Sequence, residues 1–141
     1  MTNLDLVQAA LAATDAWLEA YRERDMERAS GAFAADMGVV VFGTGADECC
    51  IGIAHIREHL DRDWAQAEAS SIERGHTTTR MAGGAVIVAF DCHFGYCVDE
   101  HHRTTSGRAT IIFECQDTRL TIVHAHFSVP ASAQPAGRSF W

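Results

Sequence analysis

Apolar residues recur every three or four positions through the first two dozen residues. Leu4, Val7, Leu11, Thr14, Leu18 and Tyr21 share one side, with Trp17 beside them, which predicts an amphipathic helix over residues 4–24. Asp25 is a natural N-cap for a second, shorter helix over 25–37, whose apolar side is Met26, Ala29, Ala32 and Phe33. GVVVFGTGAD, residues 38–47, reads as a short strand closed by a glycine turn. Residues 53–69 return to helical spacing, with Ile53, Ile56, Leu60 and Trp64 as the inner stripe.

Beyond residue 70 the period falls from 3.6 to 2. SIERGHTTTRMA, AVIVAFDCHFGYCVD, SGRATIIFECQ and RLTIVHAHFSV are strands, with GG, DEHH and QDT as the turns between them. Helix, helix, strand, helix and then a four-strand meander is an α+β order, with the helices gathered on one face of a mostly antiparallel sheet. It predicts one domain over residues 1–130 and a C-terminal arm over 131–141, whose Phe140 and Trp141 would tuck onto a neighbouring surface.

Composition narrows the function classes. The 141 residues carry a net charge of −8, and all 11 basic residues are scattered arginines, which argues against nucleic acid as a partner. Without a lysine there is no Schiff-base chemistry. No apolar run is long enough to span a membrane and the first residues lack a signal-peptide pattern, so the expected location is the cytoplasm. There the five cysteines, which match no zinc spacing, are expected as free thiols or small apolar fillers.

The helix ending AYRERD, the short helix ending FAAD, the GTGADE turn, Gly52 and Ile56 opening the third helix, and the closing IVHAHFSVP together resemble the nuclear transport factor 2-like superfamily, and within it the SnoaL-like proteins. The last motif is also similar to the closing strand of the calcium/calmodulin-dependent kinase association domain. The resemblance implies a cystatin-like cone: three helices across a strongly curved sheet, often enclosing a pocket for a small hydrophobic ligand, with homodimers formed through the sheet's outer face. Members include cofactor-free isomerases, cyclases, dehydratases and hydrolases as well as non-catalytic binding and association modules, so the fold alone does not decide the function.

Alternation, oriented by that resemblance, sends Phe90, Cys92, Phe94, Ile111, Phe113, Val123, Ala125 and Phe127 into the cone. From the helices and the first strand, Trp17, Phe33, Val41, Ile56 and Leu60 complete an apolar pocket. Asp91, His93, Arg108, His124 and His126 then face outward. They are expected as a hydrogen-bonded dimer interface rather than a metal site, the minority reading of the H-x-H pair. The ketosteroid isomerase pattern is not kept: the resemblance puts its oxyanion-hole tyrosine at Trp17, its general base near Val41 and its second acid near Ala109 or Thr110.

The candidate catalytic groups are Tyr21 as a hydrogen-bond donor, His59 at the pocket rim, and His76, whose face the sequence leaves open. His55 shares a helix face with His59 and reads as a solvated flank. GTGADE lacks the lysine of a phosphate loop and reads as a turn, though Asp47 and Glu48 could reach the mouth. DEHHR reads as an exposed hairpin turn, and Cys92 as an inert thiol unless a histidine activates it. No metal and no cofactor is expected.

Overall fold

The computed structural model describes residues 2–140. Three helices, α1 (Asn3–Glu23), α2 (Met26–Gly31) and α3 (Gly52–Ala65), lie against one six-stranded sheet. Its strands are β1 (Val40–Phe42), β2 (Cys49–Ile51), β3 (Ala69–Ala82), β4 (Ala85–Val98), β5 (His101–Gln116) and β6 (Arg119–Ser128). The spatial order is β2-β1-β6-β5-β4-β3, and only β1 and β6 run parallel. This is the α+β order that the period change predicts, with the curved sheet that the resemblance implies.

Each helix has a local cause. Thr2 and Asp5 exchange side-chain and backbone hydrogen bonds in a capping box that starts α1. Arg24 ends it in the left-handed conformation, φ 58°, and its guanidinium donates to the carbonyls of Trp64 and Ala67 at 2.8 and 2.6 Å, tying the end of α1 to the end of α3. Asp25 caps α2 by accepting from the Arg28 amide.

The second helix is shorter than the expected 25–37. The backbone of 32–34 turns away to pair with β6: the Ile122 amide donates to the Ala32 carbonyl and the Ala34 amide to the Ile122 carbonyl, both at 2.9 Å. β2 was not expected at all; three residues are too few to show a period. Gly52 enters α3 at φ +79°, and the helix stops at Ala65 because the chain must become β3 by Ala69. The DEHHR turn contracts to Asp99 and Glu100, both at positive φ (51° and 65°) as a two-residue hairpin needs, and His101 and His102 belong to β5.

Two bulges decide which side chains face inward. On β5–β6 the register shifts between Ile112 and Phe113, so Phe113 pairs with Ile122 and Ile112 with His124, leaving Val123 unpaired. Ala125 and Phe127 face inward as expected, but Ile122, 1% exposed, takes the inward place expected of Val123, which is half-buried. On β3 the shift falls between Arg74 and Thr77 and sets Gly75 and His76 against Asp91. Met81 packs on the core and Thr77 holds Arg74 on the helix side, while His76, Thr78 and Arg80 are all exposed.

Candidate functional site

The inner face of the sheet divides into a filled end and a hollow end. Phe90, Cys92, Ile111, Phe113 and Ala125, expected to line the pocket, are buried but pack as solid core, and with Val123 they stay outside the cavity wall. The cavity, about 320 Å³, opens at the other end, where β3 begins and β4 ends. Of the expected lining, Trp17, Phe33, Val41, Ile56, Leu60, Phe94 and Phe127 form its walls. Trp17 stacks on Tyr21 and on Phe127, ring centroids 5.7 Å apart in each case, and meets Phe33 edge-on at 6.1 Å. Gly107 permits this wall, since a Cβ there would overlap the Phe94 ring and the Ser128 carbonyl.

One corner is polar: Tyr21, His59 and Glu48, which the sequence reading singled out, meet there with Asp63, which it missed. His59 Nε2 lies 3.6 Å from Glu48 Oε2 and 3.8 Å from Asp63 Oδ1, all three side chains less than a third exposed. Tyr21 donates its hydroxyl hydrogen to Asp63 Oδ2 at 2.8 Å. Asp63 follows His59 by one helical turn, so α3 presents both to one side. Glu48 arrives from the GTGADE turn: Gly43 donates its amide to the Glu48 carbonyl at 2.9 Å, and Cβ atoms on Gly43 or Gly45 would collide with the Glu48 side chain. The glycines of that turn therefore make room for a carboxylate rather than a phosphate. Arg62 braces the corner from outside, 3.0 Å from Asp47 and 3.8 Å from Glu48.

Burial, then the adjacent Asp63 charge, push the Tyr21 phenol far above its ordinary range, so it stays a proton-bearing group. Its hydrogen is committed to Asp63, which replaces the expected donation to a ligand carbonyl. Ser70 Oγ is buried beside the Tyr21 hydroxyl and opposes part of that rise. The Cys50 thiol on the cavity wall and the Cys92 thiol in the core are each pushed up to about 11 by burial, so neither is an activated nucleophile. All five cysteines are free.

His76 is exposed and outside the cavity, carried off by the β3 bulge, and takes no part in this corner. His55 has a structural partner, its Nδ1 accepting from the Ile51 amide at 3.2 Å where α3 begins. Asp91, His93, Arg108, His124 and His126 lie on the outer face of the sheet, where Asp91 and Arg108 are register partners and Phe42 packs against both His124 and His126. His93 meets Ser106 at 3.3 Å. Phe140 is 82% exposed, not tucked against the rest of the chain, and Trp141 lies outside the described residues.

Chemically the corner can move a proton, or hold a divalent cation. The ligand atoms of Glu48, His59 and Asp63 all lie within 4.8 Å of one another, a spacing a metal could use, though an imidazole between two carboxylates satisfies the same atoms. Among the described residues no helix is long and apolar enough to cross a membrane.

Comparison with known proteins places the architecture. A family model for the SnoaL-like domain matches residues 10–132. No curated protein matches the chain. Among solved structures, a nuclear transport factor 2-like superfamily protein from Salmonella enterica superposes with a TM-score of 0.84 at 17% identity, over 99% of this chain and 100% of that one. A protein of the same family from Streptomyces avermitilis, provisionally named a dehydratase, gives 0.83 at 15% identity over 93% and 100%. A Caulobacter vibrioides protein with a cystatin-like fold gives 0.75 at 15% identity over 89% of each chain. The match over most of the sequence makes this chain a member of the SnoaL-like family, with the curved-sheet fold that nuclear transport factor 2-like proteins share.

Proposed function

We propose that the chain binds a small, largely apolar molecule in the cavity and transfers a proton on it with its own side chains, as an isomerase, cyclase, dehydratase or hydrolase would. The observation that carries this reading is His59 held between Glu48 and Asp63 at the edge of an otherwise apolar chamber. An imidazole is suited to taking and returning a proton near neutral pH. Asp63 faces the ring with Oδ1 because Oδ2 is occupied by Tyr21, the nucleophile–base–orienter logic with a phenol as the outermost member. His59 is the catalytic residue of this reading; Tyr21 and Asp63 position it.

The test is deuterium exchange. 1-Tetralone, a small apolar ketone with an acidic C–H, is incubated in D2O with the protein and followed by NMR. Exchange above the buffer rate that disappears in His59→Ala supports the reading. Binding of 1-tetralone itself, read by calorimetry, with no acceleration would leave the cavity as a carrier and overturn the catalytic part.

A second reading, a homodimeric binding or association module, is favoured by a separate observation. By register, Ile87, Ile112, His124, Val40 and Ile51 form one continuous row across the outer face. Such a row suits a second copy of the chain, with His124 and His126 in the seam. The two readings are compatible, since they use opposite faces of the sheet.

A further inference from the structure

The cavity is charged in one sense only. Glu48 and Asp63 both line it, no arginine does, and the chain has no lysine. His59 is the one basic group on its wall. The carboxylates converge on one point, since Glu48 Oε2 and Asp63 Oδ1 both lie within 4 Å of the same imidazole nitrogen. Ser70 also lines that corner, with its buried hydroxyl turned to the Tyr21 oxygen. The remaining wall is aromatic: Trp17, Phe33, Phe94, Tyr96 and Phe127 present rings to the interior. Rings attract a cation to their negative faces, and carboxylates attract it more strongly where water is scarce.

We propose that the cavity takes a hydrophobic amine, with its ammonium held by Glu48 and Asp63 and its apolar body lying among the rings of Trp17, Phe94 and Phe127. An ammonium brings three donors, and the two carboxylates supply the acceptors for it. A carboxylic acid or phosphate of the same shape would set a further anion beside Glu48 and Asp63, and the one arginine nearby, Arg62, reaches Glu48 from outside the wall and is already paired with Asp47. The volume of about 320 Å³ lies at the small end of ligand pockets, which limits the body to one or two fused rings. This deepens the reading of the cavity as a small-molecule site and rests on it, but it does not depend on His59 catalysing anything.

The test uses three probes of one skeleton, 1-naphthylmethylamine, 1-naphthalenemethanol and 1-naphthoic acid, titrated calorimetrically into the full chain at neutral pH and low salt. The expected order is amine over alcohol by about tenfold or more, the worth of one good charged hydrogen bond, and alcohol over acid by a similar factor. In Glu48→Gln/Asp63→Asn the amine-to-alcohol ratio collapses to within about threefold. Alcohol binding as well as or better than amine overturns the inference while leaving the pocket reading intact. Failure of all three to bind overturns both. The ladder on the unaltered protein needs no variant to fold, so it decides the matter by itself.

Discussion

Tyr21 shows how one side chain serves packing and chemistry together. Its ring lies between Trp17 and Trp64 in the aromatic cluster, and its hydroxyl fixes which oxygen Asp63 turns toward His59. Tyr21→Phe keeps the ring and removes the bond. It is expected to cost about 1–2 kcal/mol in denaturant unfolding and to lower His59-dependent exchange by roughly tenfold or more. A purely structural role would lower stability and leave the exchange rate of the folded fraction unchanged. Burial also sets an alkaline limit. The Cys50 and Cys92 thiols stand near 11 in the folded chain against an ordinary 9.0, and the Tyr21 phenol is raised in the same direction. The unfolded chain therefore releases these protons first. Stability from keeping them is complete below about pH 9 and is lost as pH climbs through 11. Thermal melts should show Tm falling from about pH 9 upward, and Cys50→Ala/Cys92→Ala should flatten that fall. A Tm unchanged between those values would contradict the burial argument.

At the scale of elements, the sequence carries periods well and exceptions poorly. The stripe Leu11, Leu18 and Tyr21, the stripe Ile56, Leu60 and Trp64, and the alternation of Val86, Val88, Phe90 and Cys92 all match the buried sides of α1, α3 and β4. Val123 was misplaced because parity survives only until the ladder takes an extra residue, and nothing in IVHAHFSVP marks one. The same holds for His76 in the β3 bulge. Half of the polar corner was legible: His59 stands one residue before Leu60 of the inner stripe, and Glu48 belongs to a turn that can reach the mouth. Asp63 was missed, though the i,i+4 spacing from His59 was available as a signal, because an acidic residue on a helix otherwise rich in exposed charge carries no mark of its partner. The hollow end was illegible too, since an inward residue that fills space and one that borders a void have the same pattern. Two glycines test how these elements shape the site. Gly43→Ala would push Glu48 out of the corner and should weaken amine binding more than alcohol binding. Gly107→Ala must displace Phe94 or the Ser128 carbonyl and is expected to destabilise by about 1–3 kcal/mol in urea unfolding, with the aromatic wall as the part disturbed.

For the whole molecule, the two faces of one sheet pose different problems. The inner face is shielded by three helices and has a chamber at one end. The outer face has no helix over it, yet its middle rows are not those of a solvated sheet. Ile87, Ile112 and Val40 are half-buried within one chain and adjoin Ile51 at 49% and Phe42 at 39% exposure. Charge is set at the margin, where Asp91 faces Arg108 across the β4–β5 ladder. An apolar centre bordered by charged residues is the anatomy of a protein–protein contact. A two-fold pairing of identical faces would bury this row in the seam. Light scattering after size exclusion is expected to give a dimer near neutral pH. Ile112→Asp should give a monomer whose cavity still binds the neutral naphthyl alcohol, because Ile112 lies on the face away from the chamber. A wild-type monomer across the micromolar range would remove the outer face from consideration as an assembly surface. If Ile112→Asp instead lost dimer and cavity together, the two faces would not be independent, and the chamber would have to be regarded as shaped by the partner copy.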